Sequence, residues 1–410
     1  MSDRVAIIDY VRTPFTLATL PGSGKAPGQL AHVEPINLFV PLVQHLMAAH
    51  PEINPKDVEN VILGVVSPEG QQGLNLARMC VLHKDSPLPN SVQGETLDKF
   101  CGSSMRTIAM AEAEIRAGRG DVFIAGGVQS MSTIPMGGRD ASTPGDVLAA
   151  HPAGFMDMGV TAENLAKLYG ITREEQEAFS LASHQKAAAG RAAGHFDDEI
   201  VPINDRDGMP LKWDDIIRGE SLDPEKAKAM AEKMKTLRTV FMRQEQGGTV
   251  TAATSSGVAD GASAVLMTSV NYAKAHNLPV KAEIVSFAGS GCDPETMGLG
   301  PVEATRKALE RAHLTMADID IVELNEAFAA QSLAVIKEWD KQGMHIDPAK
   351  INVDGGAIAL GHPLGASGAR LVGHAANVLN RENKRYALAT MCIGGGQGVA
   401  MVIENPNFKP

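Results

Sequence analysis

Pro55-Lys-Asp-Val-Glu-Asn-Val-Ile-Leu-Gly64 is an acidic turn that runs into an apolar strand, and the chain repeats it much later as Met316-Ala-Asp-Ile-Asp-Ile-Val-Glu-Leu-Asn325. Asp57, Val58, Val61 and Leu63 fall opposite Asp318, Ile319, Val322 and Leu324. Beyond the first copy stands Cys101-Gly-Ser-Ser104, then helical spacing over 105–117, then an apolar strand over 122–125 closed by Gly126-Gly127. Beyond the second, at a similar distance, stands Gly365-Ala-Ser-Gly368, then helical spacing over 369–379, then a strand over 386–391 closed by Cys392. The same elements in the same order point to two duplicated α/β halves. Residues 5–10 add an N-terminal strand and 36–50 an amphipathic helix.

Between the halves, 131–247 has another character: Gly and Pro up to Pro152, helical stretches after it, then many Lys and Asp. It reads as an insertion. A helix over 224–238 there carries Lys226, Lys228, Lys233, Lys235 and Arg238. Such a run is usually a solvated face, and the functional alternative is a dock for a phosphorylated ligand.

Composition narrows the class. A chain of 410 residues with 44% hydrophobic and 21% charged residues can bury a large interior, which excludes wholesale disorder. Only 4% is aromatic while Gly numbers 41 and Met 19, so the core is built from small aliphatic side chains and close backbones. The formal charge of −11 argues against a surface devoted to nucleic acid or anionic membrane. No apolar run is long enough to span a bilayer, and no signal peptide is visible, so a soluble cytoplasmic protein is expected. The cysteines number four, Cys80, Cys101, Cys292 and Cys392, with no C-x-x-C pair, so neither a zinc site nor a disulfide framework is indicated.

Cys101 lies where a loop becomes a helix, which would place its sulfur at the positive end of the helix dipole and favour the thiolate. A lone Cys is more often a small buried hydrophobe, so its partners decide. The block Gly355-Gly-Ala-Ile-Ala-Leu-Gly-His362-Pro-Leu-Gly-Ala-Ser-Gly368 is dense in glycine, yet His362 and Pro363 stand where a phosphate-binding loop needs Lys and Ser or Thr. Gly394-Gly-Gly-Gln-Gly398 likewise misses the dinucleotide fingerprint. What remains is a histidine in a glycine-lined turn, available as a base. Cys392 after one strand and Asn325 after another would both sit at strand carboxyl ends, where open α/β sheets bind ligands. Two thiols, an imidazole and a carboxamide there form a set suited to acyl transfer.

Together these segments resemble the thiolase family: Leu97-Asp-Lys-Phe-Cys101-Gly-Ser-Ser, Asn325-Glu-Ala-Phe328, Gly361-His362-Pro and Cys392-Ile-Gly-Gly-Gly396, with Gly248-Thr-Val-Thr-Ala-Ala-Thr-Ser-Ser256-Gly-Val-Ala-Asp-Gly261 between them. The resemblance covers nearly the whole chain. It implies two duplicated βαβαβαββ halves in five layers (α-β-α-β-α) with an inserted loop domain. The expected division is 1–130 plus 248–272, the insertion 131–247, and 273–410.

By the same resemblance Cys101 is the nucleophile, His362 the base, Cys392 the second acid/base and Asn325 the holder of a water. One oxyanion hole would come from His362 and that water, the other from the backbone N–H groups of Cys101 and Gly394. Coenzyme A is implied as cosubstrate, with no metal and no covalently bound cofactor, its pantetheine near Ser256, Met158, Ala327 and Phe328 and its phosphates near Arg238. The implied partners are acyl-CoA molecules, not nucleic acid, and the chain is expected to form a homodimer or homotetramer, with room for a β-oxidation partner subunit.

Two departures bear on substrate. Asp157-Met158-Gly159 stands where biosynthetic acetoacetyl-CoA thiolases commonly read His-Met-Gly, and the stretch 242–247 is longer than usual. Both favour a 3-ketoacyl-CoA thiolase acting on longer chains over the acetoacetyl-CoA enzyme. A non-catalytic relative that only binds acyl-CoA or lipid would lack part of the set, and a decarboxylating ketosynthase would carry His or Asn in place of Cys392. Cys80 and Cys292 match no catalytic motif.

Overall fold

The computed structural model describes residues 4–19, 24–140 and 142–409. The first half supplies β1 (Val5–Arg12), β2 (Thr16–Leu17), α1 (Pro35–Ala49), β3 (Val58–Gly64), α2 (Leu76–Leu82), β4 (Gln93–Leu97), α3 (Ser103–Arg116) and β5 (Val122–Ser130). Then come α4 (Gly145–Ala150), α5 (Met158–Tyr169), α6 (Arg173–Ala192), a hairpin of β6 (Ile203–Asn204) and β7 (Pro210–Leu211), and α7 (Pro224–Lys235). The chain returns to the first sheet as β8 (Ala259–Ser269), followed by α8 (Val270–Ala275). The second half is β9 (Ala282–Gly291), α9 (Gly300–Ala312), β10 (Ile321–Leu324), α10 (Ala329–Lys341), α11 (Ala357–Leu360), α12 (Leu364–Arg381), β11 (Tyr386–Ile393) and β12 (Gln397–Glu404).

The duplication is visible strand by strand. One half has the order β1-β8-β5-β3-β4 and the other β9-β12-β11-β10. The β3/β5 and β10/β11 pairs are parallel, and β5/β8, β1/β8, β11/β12 and β9/β12 are antiparallel. Where β4 lies parallel to β3, the second half has, among the described residues, a single bridge, Val322 to Ile351. One-turn 3₁₀ helices at Pro55–Asp57 and Met316–Asp318 precede the matching strands, as the repeat of Asp57 at Asp318 predicts. A short antiparallel ladder from Val5–Ile7 to Ala282–Ile284 joins the two sheets edge to edge.

Burial defines the five layers. α1 and α2 pack with Ile8, Val61, Leu63 and Ile124 on the outer face of the first sheet. Residues of α9 and α10, among them Leu309, Val335 and Trp339, cover the outer face of the second. Between the sheets lie α3 and α12, whose Met105, Ile108, Leu371 and Val378 share one apolar core with Ile7, Phe123, Met267, Met391 and Met401. The Ser104 hydroxyl accepts from the Ala369 N–H at 2.9 Å, pinning the start of α3 to the second turn of α12.

Buried charges fasten the insertion to both halves. Arg12 of β1 pairs with Asp214 at 2.6 and 2.9 Å and with Glu199 at 2.8 Å. Glu199 accepts from His374 Nδ1 at 2.9 Å, and His374 Nε2 lies 3.2 Å from Asp354. Asp354 also meets His195 at 2.7 Å and Arg381 at 2.8 Å. Each of these interior charges has an opposite partner, the condition under which charge is tolerated away from water.

Candidate active site

The Cys101 turn is built by its neighbours. The Asp98 carboxylate accepts from the N–H groups of Ser67 and Phe100, at 2.9 and 2.7 Å. The Ser103 hydroxyl accepts from the Lys99 N–H at 2.8 Å and donates to the Phe100 carbonyl at 2.6 Å. These bonds hold Phe100 at a φ of +46°, a left-handed conformation unfavourable to a bulky residue. Cys101 follows, buried two residues ahead of α3. Gly102 is needed there, because a Cβ would come within 2.3 Å of the Ile393 side chain.

Position before a helix does not leave the sulfur ionised. Burial pushes the Cys101 thiol up to about 11, although the N–H groups of Gly394 and of Cys101 itself point at the sulfur and pull the other way. This runs against the thiolate expected from the helix start: desolvation outweighs the two N–H donors. A base is needed.

His362 is the residue expected to serve as one. It lies in a turn between α11 and α12, where Gly361 takes a φ of +98° and the His362 N–H bonds the Gly257 carbonyl at 3.0 Å. Its Nδ1 is 2.6 Å from the Ser367 hydroxyl, which sits 2.9 Å from the Pro363 carbonyl. A carbonyl can only accept, so the hydroxyl gives its one proton to Pro363 and receives from Nδ1–H. Nε2 is left unprotonated, able to accept. Burial, and then the charge of Arg370, push this imidazole down to about 3, so it is neutral at any working pH. Asn325 Nδ2 lies 3.4 Å from Nε2, while its Oδ1 is buried without a protein partner.

The residue after Asn325 holds this turn in place. Glu326 is buried and accepts from Ser183 Oγ at 2.6 Å, Asn352 Nδ2 at 2.8 Å and the Ile358 N–H at 3.2 Å. Asn352 in turn bonds both the N–H and the carbonyl of Leu324, each at 2.9 Å, fixing the end of β10. Gly356 leaves room for the carboxylate, since a Cβ there would stand 2.3 Å from it. Arg370 of α12 pairs with Glu323 of β10 at 2.5 Å, tying the helix that follows the turn to the same strand.

Cys392 lies inside β11 rather than after it, because the ladder to β12 continues through Cys392 opposite Gly398 and Ile393 opposite Gln397. It still reaches the same end of the sheet: the Asn325 N–H bonds the Thr390 carbonyl at 3.0 Å on the adjacent strand. Its side chain packs with Met158, Met297, Ala327 and Phe328. Burial, and then the nearby Cys101 sulfur, raise its thiol well above the usual range, so it too carries a proton at rest.

Several of the residues expected to meet coenzyme A touch one another beside Cys392. The Ser256 N–H bonds the Ala327 carbonyl at 3.0 Å, and Ser255 bridges Phe328. Phe328 meets the edge of Phe241 at 5.7 Å between ring centres. Arg238, exposed and three residues from Phe241, lines with it and Arg243 a cavity of about 320 Å³. α7 stops at Lys235 rather than running on to Arg238, and Lys235 is paired with Glu232 at 2.8 Å. Ser367 and Glu326 were given no role by sequence reasoning. Ser367 stands five residues after His362 in the glycine block, a spacing that could have flagged it. Among the described residues no cluster of three or more His, Cys, Asp or Glu side chains is placed to hold a metal, and no helix is long and apolar enough to cross a membrane.

Comparison with known proteins agrees with this arrangement. The thiolase N-terminal domain matches residues 5–271 and the thiolase C-terminal domain residues 278–405. The 3-ketoacyl-CoA thiolases of Marinomonas sp. (strain MWYL1) and Alcanivorax borkumensis (strain SK2) are each 44% identical over 407 residues, 98% of this chain and 98% of theirs. Human mitochondrial 3-ketoacyl-CoA thiolase in complex with CoA superposes with a TM-score of 0.84 at 35% identity, covering 98% of both chains. The acetyl-CoA acetyltransferase of Bacillus anthracis gives the same score and identity over 98% of this chain and 99% of that one. With the duplicated halves and both domains matched almost end to end, the chain belongs to the thiolase family.

Proposed function

We propose that the protein cleaves 3-ketoacyl-CoA with coenzyme A, yielding acetyl-CoA and an acyl-CoA two carbons shorter. What carries this reading is a protonated Cys101 sulfur facing the Gly394 N–H, within a site whose neutral His362 keeps Nε2 free. As the sulfur attacks the 3-keto carbon, His362 Nε2 takes its proton, and the N–H groups of Cys101 and Gly394 or the pair of His362 and an Asn325-held water receive the oxyanions. The bond between carbons 2 and 3 breaks, and the Cys392 thiol protonates the departing acetyl-CoA carbanion. The Cys392 thiolate then takes the proton of free coenzyme A, whose sulfur attacks the Cys101 thioester. Acyl-CoA leaves, and His362 returns the proton to Cys101.

Asn325 Oδ1, a buried acceptor without a protein partner, supports the water assigned to that residue. Ser256, Met158, Ala327 and Phe328 are assigned to pantetheine and Arg238 to phosphate, consistent with the packing of Met158, Ala327 and Phe328 beside Cys392. A chamber of about 480 Å³ beside Met158 and Val258 supports chains longer than acetoacetyl. Biosynthetic acetoacetyl-CoA chemistry is the second reading, since the B. anthracis acetyltransferase is as similar in fold as the human 3-ketoacyl enzyme. We assign 1–130 with 248–272 and 273–410 to the two catalytic halves and 131–247 to the loop domain. A cytoplasmic homodimer or homotetramer in fatty-acid β-oxidation, with or without a partner subunit, completes the reading. A kcat/KM series over 3-ketoacyl-CoA chain lengths with excess coenzyme A tests it. Values rising beyond four carbons support it, and a maximum at acetoacetyl-CoA favours the second reading.

A further inference from the structure

The chamber beside Met158 has one feature that an apolar acyl pocket does not require. Met131, Met136, Phe155, Met156, Met158 and Val258 line it, and a single ionisable residue, Asp157, joins them; no Lys, Arg or His does so among the described residues. One Asp157 oxygen accepts from the Gly159 N–H at 2.8 Å and caps α5, while the other bonds no described residue. The chamber touches the reaction centre at two points: Met158 packs on Cys392, and Val258 bridges His362.

The geometry points to Asp157 as a specificity-determining residue that selects acyl chains with neutral tails against chains ending in a carboxylate. This rests on the thiolase reading, in which the chamber takes the acyl chain. The chamber is half open and Asp157 is exposed, so solvent screens its charge in part. A space of that volume is about 10 Å across, comparable with the Debye length at moderate salt, and a charge inside it still feels Asp157. A tail carboxylate would meet a like charge that only the N-terminus of α5 offsets, with no cation in the lining. A methyl-ended chain meets only the apolar lining.

The test compares two ligand series of equal length, saturated acyl-CoA and ω-carboxyacyl-CoA for binding by calorimetry, and their 3-keto forms for kcat/KM. The wild-type protein is expected to prefer the neutral series, and Asp157→Asn, which preserves the helix cap, to shrink that preference about threefold, with the effect fading as salt rises. Asp157→Ser, also a capping residue, should do the same. Equal affinity for the two series in the wild type, or a preference unchanged in both variants, overturns the proposal. Failure of the thiolase reading shows differently, as absent turnover of the neutral 3-keto series while the calorimetric preference is still measured.

Discussion

The Ser367 hydroxyl fixes the tautomer of His362: it lies 2.6 Å from Nδ1 and gives its own proton to the Pro363 carbonyl 2.9 Å away. Nε2 is thereby held as a bare acceptor beside Asn325, in an imidazole that burial already keeps neutral.

Ser367→Ala removes that constraint. The imidazole can then place its proton on Nε2, where it cannot act as a base, so kcat should fall about tenfold, the lower end of what general-base catalysis contributes, with KM little changed. Ser367→Thr, which keeps the hydroxyl, should recover most of the loss. Steady-state kinetics on both variants checks this, and a matching rise in KM would point to a binding defect instead.

Glu326→Ala strands three buried donors, on Ser183, Asn352 and Ile358. A loss of about 3 kcal/mol in unfolding free energy is expected from the unpaired groups. Activity should fall further than stability explains, because the turn carrying His362 loses its support. Urea unfolding and kcat on the same preparation separate the two effects.

The ionisation of Cys101 has a direction that can be checked. With its thiol raised to about 11, the wild-type protein should show no thiolate absorbance from this residue near pH 7, measured as the difference from Cys101→Ala. Absorbance should grow only above about pH 9. A full thiolate signal at neutral pH would mean that the helix start and the two N–H donors outweigh burial after all.

His374 supplies a pH dependence of stability. Burial alone would lower it, but Glu199 and Asp354 win and raise it from 6.5 to about 10. A raised folded-state value favours the folded protein fully below 6.5, and the contribution is lost as pH climbs toward 10. Unfolding free energy should therefore decline across that window, and His374→Gln should flatten the decline while lowering stability at pH 6. An equal slope in the variant would assign the effect to other groups.

How much of this was legible depended on distance along the chain. The echo of Asp57 at Asp318 is local, and it located two turns and two strands, because a short acidic turn before a buried strand is written in adjacent residues. The missing partner of β4 was not legible: Ile351 replaces a five-residue strand with a single bridge, and nothing in its neighbourhood marks the difference. The buried chain of Arg12, Glu199, Asp214, His374 and Asp354 was invisible, since its members come from both halves and the insertion. Cys101, His362, Asn325 and Cys392 stood out because glycine-rich turns and strand ends flag sites locally. The charge state of Cys101 did not, because burial is a property of the folded core and not of the residues beside the sulfur.

The central claim is that Cys101 carries the acyl group and that Cys392 moves the proton of coenzyme A. Rapid-quench intact-protein mass spectrometry of the wild-type protein, mixed with a 3-ketoacyl-CoA before coenzyme A is added, tests it most directly. The account predicts an acyl adduct, located on Cys101 by peptide mapping, that is lost when coenzyme A is added, with both its formation and its loss slowed in Cys392→Ala. No adduct on Cys101, or an adduct of equal yield in Cys101→Ser, would contradict it.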